Sequence, residues 1–155
     1  MYKKVMVPLD GSALAECVFP HVEAFVEGFK LSDVIFVRVV DPDKTLSSAE
    51  DYADLARLAE FEKLQTSPAK KYIQKIRERF NHMSASVHSE VLEGRIADSL
   101  IEFADKKGVD VIIIATHGRS GASRWLMGSI ADKLIRSAKI PVFIVRAPVA
   151  GWKGL

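Results

Sequence analysis

The sequence predicts a doubly wound α/β fold, a three-layer α/β/α sandwich around a five-stranded parallel sheet in the order 3-2-1-4-5, and three observations lead there. Four short runs rich in Val and Ile, 5–9, 34–40, 109–115 and 142–145, mostly lack strict alternation, as strands covered on both faces do. Helical patterns fill the gaps between runs, and every gap is long enough to join parallel strands. A fifth run, 85–92, is polar and roughly alternating, with Val87 and Val91 on one side, which suits a sheet edge. With that strand outermost, the direction of winding reverses between strands 1 and 4, and small ligands are expected above the C-terminal ends of those two strands.

The elements follow in chain order. After strand 1, Ser12 can cap a helix carrying Leu14, Val18, Val22, Phe25, Val26 and Phe29 at helical spacing, with Pro20 expected to kink it. Strand 2 ends at Asp41-Pro42, and the longest connection then carries a helix through Leu55, Leu58 and Leu64. Thr66-Ser67-Pro68 is expected to interrupt it before Tyr72, Ile73, Ile76 and Phe80. A third helix, 96–107, stops at Gly108, a residue suited to a left-handed C-cap. The last helix begins at Ser129, where Ser129 and Asp132 have capping-box spacing with Asp in place of Glu or Gln, and Lys139-Ile140-Pro141 ends it before strand 5.

The chain has 155 residues, 48% of them hydrophobic and 27% charged, which fits one domain with one packed core. The expected domain spans 1–147, with a C-terminal tail at 148–155. Twenty-two basic against 20 acidic residues leave a net charge of +2 without a long block of one sign, so neither nucleic acid nor a membrane is an expected partner. Lys70, Lys71, Lys75, Arg77 and Arg79 are interrupted by Glu78 and read as a solvated helix face. One cysteine, Cys17, excludes an internal disulfide framework, the four histidines are scattered, and no signal-peptide or membrane-spanning run is visible. A cytoplasmic protein is the expectation. Cys17 lies four residues before His21, but Pro20 disturbs that pairing and a buried, inert thiol is expected.

Chemistry concentrates after strand 4, in Ala115-Thr116-His117-Gly118-Arg119-Ser120-Gly121, followed by Trp125-Leu126-Met127-Gly128-Ser129 at the head of the last helix. A glycine loop running into a helix N-terminus offers backbone N–H groups to an anion, and phosphate suits it. Gly118, Gly121 and Gly128 permit positive φ and close approach of an oxygen, while Arg119 and Arg124 bring charge. Neither GxxxxGK[ST] nor GxGxxG after a strand is present, which leaves a P-loop NTPase and a dinucleotide-binding domain unsupported. Gly118-Arg119-Ser120-Gly121-Ala122 is one residue away from a GxSxG elbow, yet no histidine follows Ser120, so a hydrolase triad in that order cannot be completed. Asp10, at the end of strand 1, can orient a ribose hydroxyl or metal-bound water, or cap the turn at Ser12. His117 has no identifiable acid partner, and no catalytic residue is assigned.

These segments resemble the universal stress protein family, in its UspA-like, ATP-binding subgroup. The family motif is G-x2-G-x9-G-[ST] after strand 4, and Ala115, Gly118, Gly128 and Ser129 occupy its positions with the spacing intact and alanine at the first glycine. The opening Lys-Lys-Val-Met-Val-Pro-Leu-Asp-Gly-Ser and Val37-Arg38-Val39-Val40-Asp41 are similar to the family's first two strands. The resemblance implies an adenine nucleotide alpha hydrolase-like fold that binds ATP, or AMP or ADP, with Mg²⁺ a plausible companion of the phosphates. It implies base contacts from Pro8 and the Val39 backbone, and ribose or phosphate contacts from Asp10, Gly118, Arg119, Gly128, Ser129 and Ile130. Leu9, Ala115, Thr116, His117, Ser120 and Arg124 complete the candidate ATP-binding set. The implied role is a nucleotide-dependent stress-response or regulatory one. The alternatives are a nucleotide-free dimerising or scaffold member of the same fold, and a slow ATP-hydrolysing enzyme.

Strand 5 has an unpaired edge in this order, and Val142, Phe143, Ile144 and Val145 lack the internal charge or proline that usually protects one. A homodimer pairing two such edges is expected, unless the tail with Trp152 covers them.

Overall fold

The computed structural model describes residues 1–42, 55–116 and 128–147. Five parallel strands form one sheet in the order β3-β2-β1-β4-β5: β1 Lys4–Pro8, β2 Asp33–Val40, β3 Ser86–Glu93, β4 Val111–Thr116 and β5 Val142–Arg146. The predicted order is the observed one, and the polar strand is at the edge. β1 lies between β2 and β4, with Val5 opposite both Val34 and Val111.

Both faces of the sheet are covered, which explains why the central strands do not alternate. Val5, Val7, Val34, Phe36, Val111 and Ile113 point into one core with Val22 and Val26 of α1 (Phe19–Phe29) and Ile73 and Ile76 of α3 (Ser67–Arg79). Met6, Ile35, Val37, Val39, Ile112 and Ile114 point into the other, against Leu100 and Phe103 of α4 (Ile96–Lys107) and Leu134 of α5 (Ser129–Ser137). Successive strand residues thus serve opposite cores, and each needs an apolar side chain.

Three local expectations are corrected. The stretch after β1 is a turn, a 3-10 segment and a helix instead of one kinked helix. Asp10 Oδ1 accepts hydrogen bonds from Ser12 N (2.8 Å) and Oγ (2.6 Å), Ser12 Oγ accepts one from Ala15 N (3.1 Å), and Ala15–Val18 leads into α1. Pro20 falls in the first turn of α1, where a missing N–H costs no internal bond, so it starts the helix. The Thr66-Ser67-Pro68 break is a π-helical turn, Glu62–Thr66, between α2 (Leu55–Phe61) and α3; Thr66 and Ser67 keep helical dihedrals, and Pro68 again occupies a first turn. At α5 the capping residue is Gly128, and Ser129 is the first helical residue. The expected capping box therefore does not form, and Asp132 instead pairs with Arg136 one turn later at 2.9 Å. α5 also ends at Ser137, ahead of 139–141. The helix 96–107 behaves as read, with Gly108 at φ +63° closing it through an N–H to the Ala104 carbonyl.

The N-terminal end of the sheet is closed by the chain's own polar groups. Asp110 Oδ2 accepts from the backbone N–H of both Lys3 and Lys4 at 2.8 Å, and Lys4 Nζ reaches the Lys107 carbonyl at 2.9 Å. Across the neighbouring strands, His88 Nε2 lies 3.0 Å from Asp33 Oδ1.

Candidate functional site

At the opposite end, where β1, β2 and β4 terminate, the sheet opens into a cavity of about 460 Å³. It is made by the topology: the helices that follow β1 and β4, α1 and α5, pack on opposite faces of the sheet, so the C-terminal ends of these strands are not roofed by one helix. The cavity has two kinds of wall. Val37, Val39, Ile96, Leu100 and Ile114 form an apolar side between the sheet and α4. Asp10, Arg38, Asp41, Gln65, Thr116 and Ser129 supply polar groups around it.

Of the residues singled out from the sequence, Pro8, Leu9, Asp10, Val39, Ala115, Thr116, Gly128, Ser129 and Ile130 line this one cavity. They come from four separate chain segments. His117, Gly118, Arg119, Ser120 and Arg124 lie outside the described residues, as do the tail 148–155 and Trp152.

The backbone geometry refines the expected part played by glycine. Gly128 sits at φ −55°, a conformation open to any residue, and a Cβ there would stand 3.8 Å from Thr116 Oγ1, an ordinary contact. Positive φ is therefore not what Gly128 provides; its N–H donates to Thr116 Oγ1 at 3.3 Å at the head of α5. The left-handed backbone near the site belongs to Gly11, at φ +84°, just after Asp10. There a Cβ would stand 3.9 Å from Arg38 Cζ, so the turn after β1 packs under the Arg38 guanidinium.

Asp10 is tied by one oxygen to Ser12, the capping role weighed for it, and at the same time lines the cavity. Behind it, Tyr72 Oη donates to Glu16 Oε1 at 3.1 Å, and Arg79 lies 3.6 Å from the other Glu16 oxygen. Burial, followed by the adjacent Glu16 carboxylate, pushes the Tyr72 phenol well above its ordinary range, so this tyrosine stays protonated. Burial likewise raises the Cys17 thiol, the opposite of an activated thiolate, and the His21 ring packs on Phe143 with centroids 5.8 Å apart. The basic residues of α3, from Lys70 to Arg79, are exposed, as a solvated face requires.

Arg38, Asp41 and Gln65 were missed as site residues. For Arg38 a signal existed: it is the one charge inside the buried run 34–40. Gln65 had none, because its approach depends on the π-helical turn that displaces this part of the helix.

Comparison with known proteins points the same way. The model of the universal stress protein family matches residues 1–146. Universal stress protein MJ0531 of Methanocaldococcus jannaschii is 33% identical over 149 residues, covering 96% of this chain and 84% of its own. The solved structure of MJ0577 from that organism has a TM-score of 0.79 at 28% identity, covering 97% and 99% of the two chains. Two more distant structures share the fold: a universal stress protein in complex with cAMP (TM-score 0.68, 18% identity, 95% and 98% coverage) and a family member from Arabidopsis thaliana with AMP bound (0.63, 14%, 95% and 93%).

Proposed function

Since the chain belongs to the universal stress protein family, we propose that its cavity binds an adenine nucleotide, ATP foremost, and that the bound nucleotide governs a stress-response role in the cytoplasm. The observation that carries this reading is the convergence of nine predicted contact residues on one cavity with an apolar side and a polar side. Adenine is a flat apolar ring with a hydrogen-bonding rim, and the apolar wall beside β2 suits it. Ribose hydroxyls suit a carboxylate such as Asp10, and phosphate suits the N-terminus of α5 at Gly128 and Ser129. The family members solved with cAMP and AMP support an adenine ligand. Asp10 and Asp41 are oxygen donors of the kind Mg²⁺ accepts while keeping its waters, which fits a metal arriving with ATP.

Calorimetry with ATP and GTP tests the proposal. A base read through the β2 backbone should favour ATP by about tenfold or more, because a mismatched rim leaves buried polar groups unpaired. Equal affinities, or no heat with either at millimolar concentration, reject it.

The same reading includes a homodimer through β5. Among the described residues β5 pairs with β4 alone, and Phe143 is 38% exposed while its ring packs on Phe25 at 5.2 Å. A second β5 would satisfy the outer backbone groups. Light scattering should report a dimer at tens of micromolar, and Phe143→Lys should yield a folded monomer. A monomeric intact protein would contradict the pairing.

A further inference from the structure

The polar residues of the cavity are divided between its two ends. Thr116, Gly128 and Ser129 stand at the end of β4 and the head of α5, where the reading above puts the phosphates. Arg38, Asp41 and Gln65 stand at the end of β2, two strands away in the sheet. Neighbouring strands lie about 4.8 Å apart, so the two ends are separated by roughly 10 Å. A nucleotide crosses such a span with its phosphates at one end and its base at the other.

Gln65 reaches the β2 end through an irregular turn. The Ser67 N–H donates to the Glu62 carbonyl, an i→i+5 bond that adds a residue to the turn Glu62–Thr66, and such turns recur at functional sites. Phe61 and Thr66, five residues apart across it, are both buried. Phe61 packs with Val40, and Thr66 Oγ1 faces Glu93 Oε1 at 3.4 Å, where β2 and β3 end side by side. These contacts hold the turn over the ends of β2 and β3, and Gln65 between them is half-buried and lines the cavity. Val40 shares the strand face of Val34 and Phe36, on the α1 and α3 side of the sheet, whereas the apolar wall of Val37, Val39, Leu100 and Ile114 lies on the α4 side. A base resting on that wall therefore turns its rim toward Gln65.

The chemistry of the rim selects an amide. Adenine presents the N6–H donor beside the N7 acceptor, whereas guanine presents two acceptors, O6 and N7. Matching adenine takes an acceptor and a donor side by side. Among the described side chains at this end, the Asp41 carboxylate only accepts and the Arg38 guanidinium only donates, and Arg38 Cζ stands over the Gly11 turn on the β1 side. The Gln65 amide has both groups.

We propose that Gln65 is a specificity-determining residue of the cavity, its side-chain carbonyl accepting from adenine N6–H and its amide nitrogen donating to N7. This rests on the nucleotide-binding reading above and adds to it a side chain outside both β2 and the glycine loop.

The experiment is calorimetry with ATP and with 7-deaza-ATP, in which a C–H replaces N7, on the full chain and on two variants. Gln65→Met keeps the length of the side chain without its hydrogen bonds, and Gln65→Glu keeps an acceptor for N6–H without a donor for N7. The intact protein should bind ATP about fivefold more tightly than 7-deaza-ATP. Both variants should bring the two ligands within about twofold of each other, with urea midpoints close to that of the intact protein. Equal binding of ATP and 7-deaza-ATP by the intact protein overturns the proposal. So does a Gln65→Met protein that keeps the full gap, even if both affinities fall, since that is the mark of a structural role. If Gln65→Met fails to fold, a Gln65→Glu protein with an undiminished gap overturns it equally. ATP binding that survives these results leaves the functional reading standing, whereas an intact protein that binds neither ligand overturns both.

Discussion

The two ends of the sheet are built from the same strands and treated in opposite ways. At the N-terminal end, Asp110 takes the N–H groups of Lys3 and Lys4, Lys4 reaches the Lys107 carbonyl, and Asp33 is joined by Ser32 and His88, so the chain answers its own polar groups. At the C-terminal end, the Gly128 N–H makes only a 3.3 Å bond to Thr116, and a cavity of about 460 Å³ remains. Polar groups satisfied internally hold a fold together; polar groups left facing a cavity await a ligand. Stability and binding should therefore separate by end.

Substitution at the open end should produce the larger effect, and on binding. Gly128→Val meets no backbone obstacle at φ −55°, so the variant should fold, losing about 1 kcal/mol for a poorer helix cap. The added side chain takes up space beside Thr116 Oγ1, and ATP affinity measured by calorimetry should fall tenfold or more, roughly 1.4 kcal/mol. Unchanged affinity would reduce Gly128 to a turn residue and blur the contrast.

The converse change is Asp110→Ala at the closed end. Two backbone donors lose a charged acceptor there, and urea denaturation should show a loss of about 1–2 kcal/mol while ATP affinity is unchanged. A variant that keeps its stability but loses ATP would reverse the comparison.

The smallest effect concerns pH. The hydrogen bond from Ser32, opposed by some burial and helped by His88, holds the Asp33 carboxyl below its ordinary value of 3.8. A carboxyl depressed in the folded state stabilises the protein above its unfolded pKa, and that contribution fades as pH falls through the folded value. Asp33 is part-exposed and its pair with His88 lies at the protein surface, so its share should stay below about 1 kcal/mol. Urea midpoints of the intact protein and Asp33→Asn should differ slightly at pH 7 and converge as pH falls through the lowered folded value of Asp33. A difference that persists in acid would show that packing, and not charge, is responsible.

Much of this architecture was legible in the residues. The apolar runs revealed buried parallel strands because only a strand flanked by two cores needs apolar side chains at successive positions, as Val34, Ile35, Phe36 and Val37 do. The polar character of 85–92 revealed the edge, and Gly108 revealed a helix end, because each is a local consequence of exposure or dihedral angle. The motif spacing links Ala115, Gly128 and Ser129, and all three line one cavity.

Local rules misled where two of them competed for one residue. Pro20 and Pro68 read as a kink and a break, but proline is equally suited to a first helical turn, and both occupy one here, beside the buried Phe19 and Ala69. Ser129 read as a cap, yet Gly128 took that position.

What the sequence by itself determined is the order of elements, their two-sided burial and the segments that carry the motif, because these depend on side-chain type and near-neighbour spacing. Only the tertiary structure decided that Arg38, Asp41 and Gln65 join Asp10 and Ser129 at one cavity, and that Gly11, not Gly128, carries the left-handed backbone there. Those facts depend on how β2 lies beside β1 and how the π-helical turn carries Gln65 to the cavity. Such relations are set by packing between distant segments, and no local pattern encodes them.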